Sequence, residues 1–194
     1  KNYNRRKIAF KRGKGSFLYA TNGKKYLDFV QGIAVNSLGH ANSSLIKAMN
    51  KQAKKVWHVS NSFIIPEGEK LAKKLIQKTF ADSVMFQNSG TEATEAAIKI
   101  ARRYFYSIGQ PNKNRILCIK NSFHGRTLAT IYASGSKKMT EGFSPKVDGF
   151  DHFEFGDHKS LKKSITSRTA AIMVETVMGE GGIKVIPDWC LKGL

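Results

Sequence analysis

Acidic residues are scarce in this chain. Its 194 residues carry 14 Asp and Glu against 33 Lys and Arg, a formal net charge of +19. Such a balance can serve nucleic acid or an anionic membrane. Here the lysines are dispersed as doublets (Lys24-Lys25, Lys54-Lys55, Lys73-Lys74, Lys137-Lys138, Lys162-Lys163). No long basic block, zinc-finger spacing or RNP-type aromatic motif accompanies them, so a solvated charge is favoured and no nucleic-acid partner is expected. A second explanation is that acids on the rest of a longer chain balance the charge. Cysteine is nearly absent: Cys118 and Cys190 stand far apart with no C-x-x-C pair, which excludes a disulfide framework and makes a reducing, cytoplasmic setting the expectation. No apolar run reaches the roughly 18 residues of a membrane span, and no membrane partner is expected. Arg5-Arg6-Lys7 is followed by only Ile8-Ala9-Phe10 before Lys11-Arg12, too little for a secretion signal. The five histidines lack H-x-x-x-H or H-E-x-x-H spacing, so no metal is expected. Neither a Walker A pattern nor G-x-G-x-x-G occurs, which disfavours nucleotides.

What the chain does have is one organising stretch, from Ser83 to Ala101. Val84, Met85 and Phe86 form an apolar run of strand length, and Asn88-Ser89-Gly90 is a turn signal. Ser89 stands three residues before Glu92, the spacing of a capping box. Ala93, Ala96, Ala97, Ile100, Ala101 and Tyr104 then recur at helical spacing, and Gly109 and Pro111 stop the helix. A strand that delivers a small-residue turn to a helix N-terminus makes an anion site. Unpaired N–H groups and the helix dipole favour negative charge there, by roughly 0.3–1 kcal/mol. Gly90 lets a phosphate approach the backbone, and Ser89 and Thr91 add hydroxyls.

Around that unit the pattern alternates. Gly15–Ala20 and Lys25–Phe29 flank Asn22-Gly23, the strongest short hairpin signal. Ser43 to Trp57 and Pro66 to about Phe80 read as amphipathic helices. A strand is predicted over Arg115–Lys120, a short helix over Arg126–Ala133, a strand over His152–Phe155 and a helix over Asp157–Ile165. A continuous apolar strand over Thr169–Glu175 follows, with a final helix capped by Asp188. The C-terminus is expected to fall inside that helix. Strands alternating with helices predict an α/β fold, a mostly parallel sheet with flanking helices. Ligands in such sheets bind beyond the carboxyl ends of the strands. Three ends then supply an anion cradle (Ser89-Gly90-Thr91), an aromatic with a guanidinium (Phe123, Arg126) and carboxylates (Glu175, Glu180). Taken singly, Phe123 could be core, Arg126 a surface charge and Glu175 half of an ion pair. Together they suit a planar, anionic ring.

Five stretches carry a resemblance: Tyr26–His40, Trp57–Asn61, Asn88–Ala93, Asn121–Thr127 and Gly179–Gly182. The sequence resembles the class III, pyridoxal-phosphate-dependent aminotransferases of fold type I over nearly its whole length. The resemblance implies an incomplete large domain over 66–194, preceded over 1–65 by the N-terminal segment of a small α+β domain. It implies pyridoxal 5'-phosphate as cofactor, with Ser89, Gly90 and Thr91 on its phosphate, Phe123 stacked on its ring, and His124 and Glu175 beside it. Arg126 would bind the substrate α-carboxylate, Glu180 would be the switch carboxylate, and Ile33 would line the substrate entrance. The implied reaction moves the terminal amino group of N2-acetylornithine to 2-oxoglutarate, in arginine biosynthesis, by a homodimer. Ornithine, succinylornithine or 4-aminobutyrate are the alternative amines, and a basic polyanion-binding fragment is the alternative of another class. The Schiff-base lysine of the family lies beyond the position of Leu194, so no catalytic residue is expected within these residues. The sequence departs from the family pattern at Ala41-Asn42-Ser43, at Ile64-Ile65 near the expected substrate mouth, and at Thr176.

Overall fold

Local chemistry dictates the first elements. Gly23 takes φ +85° in the Asn-Gly turn, and the turn closes with Ala20 N–H donating to Lys24 O at 2.9 Å. The strands it joins, β2 (Phe17–Ala20) and β3 (Lys25–Leu27), pair antiparallel as predicted. A further strand, β1 (Phe10–Lys14), pairs with β2 across a bulge at Lys11. The coordinates are a computed structural model that describes residues 3–194. The chain divides into two compact units, Lys1–Asp82 and Ser83–Leu194. The helix α3 (Pro66–Lys78) therefore groups with the first unit.

After β3 the backbone turns left-handed. In α1 (Gln31–Ala34) the φ angles are +50°, +63°, +67° and +59°, and three of these residues are not glycine. Each such residue costs roughly 1–2 kcal/mol, and a β-branched side chain such as Ile33 is rare there. This segment is thus an ordered left-handed turn. α2 (Ser43–Ala53) starts at Asn42, whose Oδ1 accepts from the Ser44 and Leu45 N–H groups, and it stops four residues short of the predicted Trp57.

The second unit is built on a parallel sheet of order β5-β4-β6. Its strands are β4 (Arg115–Ile119), β5 (Phe150–Phe153) and β6 (Thr169–Met173). β4 is central and parallel to both neighbours. Its side chains alternate between two cores. Ile116 and Cys118 pack with Ile98, Ala133 and Phe150, while Leu117 and Ile119 pack with Phe153, Leu161, Met178 and Ile186. All four β4 residues are 0–2% exposed, and each large one contributes about 1.5–3 kcal/mol by burial. Helices α4 (Gly90–Ser107) and α5 (Leu128–Ala133) cover one face, and α7 (His158–Ser164) and α8 (Asp188–Lys192) cover the other. The predicted mostly parallel sheet with flanking helices is the observed architecture. Burial also pushes the Cys118 thiol up to about 12, so it remains a neutral core group.

Several predicted details shift. Val84–Phe86, predicted as a strand, forms no regular element and pairs with no strand among the described residues. On α4 the buried stripe runs through Ile98, Ala101 and Phe105 rather than through Ile100 and Tyr104, which are 56% and 57% exposed. The helix has apolar side chains on two stripes, and only one meets the sheet. α8 is capped by Pro187 and not Asp188, and it ends within the described chain at Gly193. This unit also holds α6 (Lys137–Thr140) and a small hairpin, β7 (Val177–Met178) with β8 (Lys184–Val185), which the sequence pattern does not predict.

Two histidines are expected to make this unit acid-sensitive. Burial lowers the pKa of both His124 and His152 below the ordinary histidine value, against the weaker pull of Glu175 on His124 and of the Ala133 and Tyr132 carbonyls on His152. The unfolded chain binds protons first, so stability is full above about pH 6.5 and falls as pH drops below it. Urea denaturation at pH 7.5 and pH 5.5 is expected to show a lower midpoint at the acid pH. Equal midpoints would contradict the assignment.

Candidate active site at the strand ends

Ser89 caps α4 by accepting from the Glu92 N–H at 3.2 Å. The reciprocal half of the predicted capping box is absent. Glu92 instead takes Asn88 Nδ2 and the Ser89 hydroxyl, each at 3.3 Å. The Gly90 and Thr91 N–H groups have no acceptor among the described residues, as the first turn of a helix requires. A Cβ at Gly90 would meet nothing within 4 Å, so open space faces this turn.

The segment after β4 folds back on this turn. Gly125 lies so close that a Cβ there would sit 2.6 Å from Thr91 Oγ1. The Thr127 hydroxyl donates to Glu95 on α4 and caps α5 through the Thr130 N–H. Ser122 is buried. It donates to Ile119 O at 2.7 Å and so accepts from His124 Nε2–H at 2.9 Å. His124 is thereby held as the neutral Nε2–H tautomer, with Nδ1 as its acceptor. The Phe123 ring is half-buried, and the exposed Arg126 guanidinium stands 5.4 Å from its centroid.

The segment after β6 closes the third side. Glu175 Oε1 accepts from the Phe123 N–H at 2.8 Å, and Oε2 accepts from the Gly179 N–H at 3.4 Å. One carboxylate therefore ties the end of β4 to the end of β6 and to the β7–β8 turn. Glu180 is exposed on that turn and makes no ion pair among the described residues. The turn itself packs against Asn121 O, which a Cβ at Gly181 would approach to 3.2 Å.

The sequence matches the family described as Aminotransferase class-III over residues 1–194. This chain belongs to the class III aminotransferases. It is 56% identical over 177 residues to an acetylornithine aminotransferase of Agrobacterium fabrum, covering 91% of this chain and 44% of that protein. It is 46% identical to a succinylornithine transaminase/acetylornithine aminotransferase of Pseudomonas aeruginosa, covering 94% of this chain and 45% of that protein. The ornithine aminotransferase of Toxoplasma gondii superposes with TM-score 0.93 at 28% identity, over 99% of this chain and 46% of that one. A second structure of that enzyme, at TM-score 0.91, has PLP at partial occupancy in its active site. This class III chain spans about half the length of the curated relatives it matches.

Within this class III chain the structure brings together Ser89, Gly90, Thr91, Phe123, His124, Arg126 and Glu175, all at the carboxyl side of the sheet. Glu180 lies on the turn attached to Glu175. Ile33 belongs to the first unit, where it is 74% exposed. Sequence reasoning missed Ser122, Thr127 and Glu95 as the groups that fix this cluster. Ser122 acts within its own segment, on Ile119 and His124, whereas Thr127 and Glu95 join two segments through a contact that no spacing marks. Among the described residues no His/Cys/Asp/Glu cluster has metal-binding geometry, and no helix is long and apolar enough to cross a membrane.

Proposed function

We propose that these residues form the N-terminal half of an acetylornithine aminotransferase. In this reading the enzyme moves the terminal amino group of N2-acetylornithine to 2-oxoglutarate through pyridoxal 5'-phosphate. It would serve arginine biosynthesis as a cytoplasmic homodimer, with a small-domain segment over 1–65 and the start of the large domain over 66–194. The observation that carries the reading is the Glu175 carboxylate on the Phe123 N–H, which fixes an aromatic ring beside a free helix N-terminus.

The residues present fit the cofactor. Two N–H groups and a Thr91 hydroxyl without a hydrogen-bond partner among the described residues, with the open face of Gly90, suit a phosphate. Phe123 offers a ring face, and Arg126 a planar fork for a carboxylate. When bound, the cofactor supplies the electron sink that lets an amino group change carriers. The protein's own part here is to bind and orient. Gly90 and Thr91 hold the phosphate, and Ser89 joins them by turning its hydroxyl proton away from Glu92. Glu175 locks the Phe123 backbone and Ser122 fixes the His124 tautomer, so the floor of the site does not have to reorganise. Arg126 docks the substrate carboxylate, and Glu180 answers to an arginine supplied by a later part of the protein. The 56% identity to a relative named for acetylornithine supports that amine over the others.

The test is a comparison of amines with the purified full-length protein. PLP is expected to raise its melting temperature, and kcat/KM is expected to be highest for N2-acetylornithine among N2-acetylornithine, succinylornithine, ornithine and 4-aminobutyrate. A higher value for another amine overturns the substrate. No PLP response overturns the reading. A chain of verified mass 21.6 kDa is expected to give no turnover.

A further inference from the structure

The segment that follows β4 docks on one face of α4 at two points. Gly125 is buried against Thr91, where an added Cβ would sit 2.6 Å from Oγ1. Two residues on, the Thr127 hydroxyl donates to Glu95 Oε1. Thr91 and Glu95 are four residues apart on a helix, so they share a face and stand about 6 Å apart along its axis. Gly125 and Thr127 are two residues apart, and an extended chain covers at most about 7 Å in that length. The two spacings match, which is why both contacts form at once.

Arg126 lies between the two points. Its guanidinium is exposed, forms no salt bridge among the described residues and has the Phe123 ring 5.4 Å away. Its place is therefore set mainly by the backbone on either side. Thr127 fixes the far side. Its one hydroxyl proton goes to Glu95, which leaves the oxygen free to accept the Thr130 N–H at 3.4 Å and cap α5. The Thr127 carbonyl accepts from the Ile131 N–H at 2.9 Å and from the Thr130 hydroxyl at 3.1 Å. Glu95 is half-buried and has no salt-bridge partner of its own among the described residues. By charge alone it opposes an anion bound nearby, so its place here calls for a different role.

We propose that Glu95 is a positioning residue for the substrate carboxylate. With Gly125 packed on Thr91, the Glu95–Thr127 bond pins the backbone beyond Arg126 to α4. It so sets the span between the Arg126 fork and the Gly90 and Thr91 N–H groups. The proposal rests on the reading that Arg126 docks that carboxylate and that these N–H groups hold the cofactor phosphate. Glu95 touches neither ligand. A reactant anchored at both ends is sensitive to the span, because a misplacement of about 1 Å can cost up to about 100-fold in rate.

The experiment compares full-length wild type with Glu95→Ala, Glu95→Gln, Arg126→Ala and the Glu95→Ala/Arg126→Ala pair. It reads kcat/KM for N2-acetylornithine, the inhibition constant of glutarate as an unreactive dicarboxylate, and the dissociation constant of pyridoxal phosphate. Glu95→Ala is expected to lower kcat/KM and to weaken glutarate about 10-fold each. Its pyridoxal-phosphate constant is expected to stay within about threefold of wild type. Glu95→Gln keeps an oxygen for the Thr127 hydroxyl and is expected to stay within about threefold on all three readings. With Arg126 already removed, Glu95→Ala is expected to cost nothing further. A role in stability alone would weaken pyridoxal phosphate as much as glutarate and add to the loss of Arg126. A role through charge alone would tighten glutarate in both Glu95 variants. Either pattern overturns the proposal. Should Glu95→Ala not fold, Thr127→Val, which keeps the shape without the donor, takes its place under the same criteria. A wild type that does not transaminate N2-acetylornithine overturns the function itself. An active wild type with Arg126→Ala unimpaired overturns the carboxylate assignment. Impaired Arg126→Ala beside an indifferent Glu95→Ala overturns this inference alone.

Discussion

Gly125→Ala in the full-length protein is expected to lose about 2–4 kcal/mol of stability and to weaken pyridoxal-phosphate binding at least about 10-fold. Gly125 has φ +136°, a conformation that alanine adopts only with strain. The added Cβ would also lie 2.6 Å from Thr91 Oγ1 and 2.9 Å from Thr130 Oγ1. Thr130 cannot yield, because it is fully buried and its hydroxyl donates to Thr127 O at 3.1 Å. Thr91 must therefore move, and it carries one of the free N–H groups at the start of α4. Denaturant unfolding and a cofactor titration measure the two effects separately. Wild-type values for both would refute the close approach of this segment to the helix end.

Arg126→Ala is expected to lower kcat/KM by about 10²–10³-fold, as removal of one partner of a substrate charge pair does. The guanidinium is exposed and its closest aromatic neighbour is Phe123. No carboxylate among the described residues forms a salt bridge with it, so its removal breaks no ion pair of the fold. Stability is expected to stay within about 0.5 kcal/mol of wild type. Arg126→Lys keeps the charge without the planar fork and is expected to recover only part of the loss. A kcat/KM within threefold of wild type for Arg126→Ala would sink the carboxylate assignment. Equal losses of stability and activity would move Arg126 to a structural role.

The parts of this molecule that were legible in the sequence are those set by local chemistry. Asn22-Gly23 dictates its turn whatever surrounds it, and Ser89 marks the start of α4 because a hydroxyl there satisfies a free N–H. The runs at Arg115–Lys120 and Thr169–Glu175 read as strands because their length and apolar character allow little else, and the strands cover Arg115–Ile119 and Thr169–Met173. The illegible parts depend on partners distant in sequence. β1 reads Phe-Lys-Arg-Gly-Lys and has no apolar alternation, and it is a strand only because β2 lies beside it. Val84–Phe86 has strand composition but no neighbour to pair with. On α4 the predicted stripe is covered at Ala101 but exposed at Ile100 and Tyr104, since the sheet and not the helix decides which side chains are buried. The left-handed α1 is the extreme case. Its residues disfavour the conformation, and Asp28 and His40 impose it through contacts that no periodicity announces.

The order β5-β4-β6 also has a consequence for how the chain is made. β4 sits in the middle of its sheet, yet both of its neighbours come later in the sequence. On a ribosome adding roughly 5–20 residues per second, this most apolar strand waits several seconds before β6 exists to cover its second edge. The hairpin of β2 and β3 has no such wait, because its partners are adjacent. During that interval Ile116–Ile119 is synthesised but unsheltered, an apolar strand with unpaired edges open to aggregation.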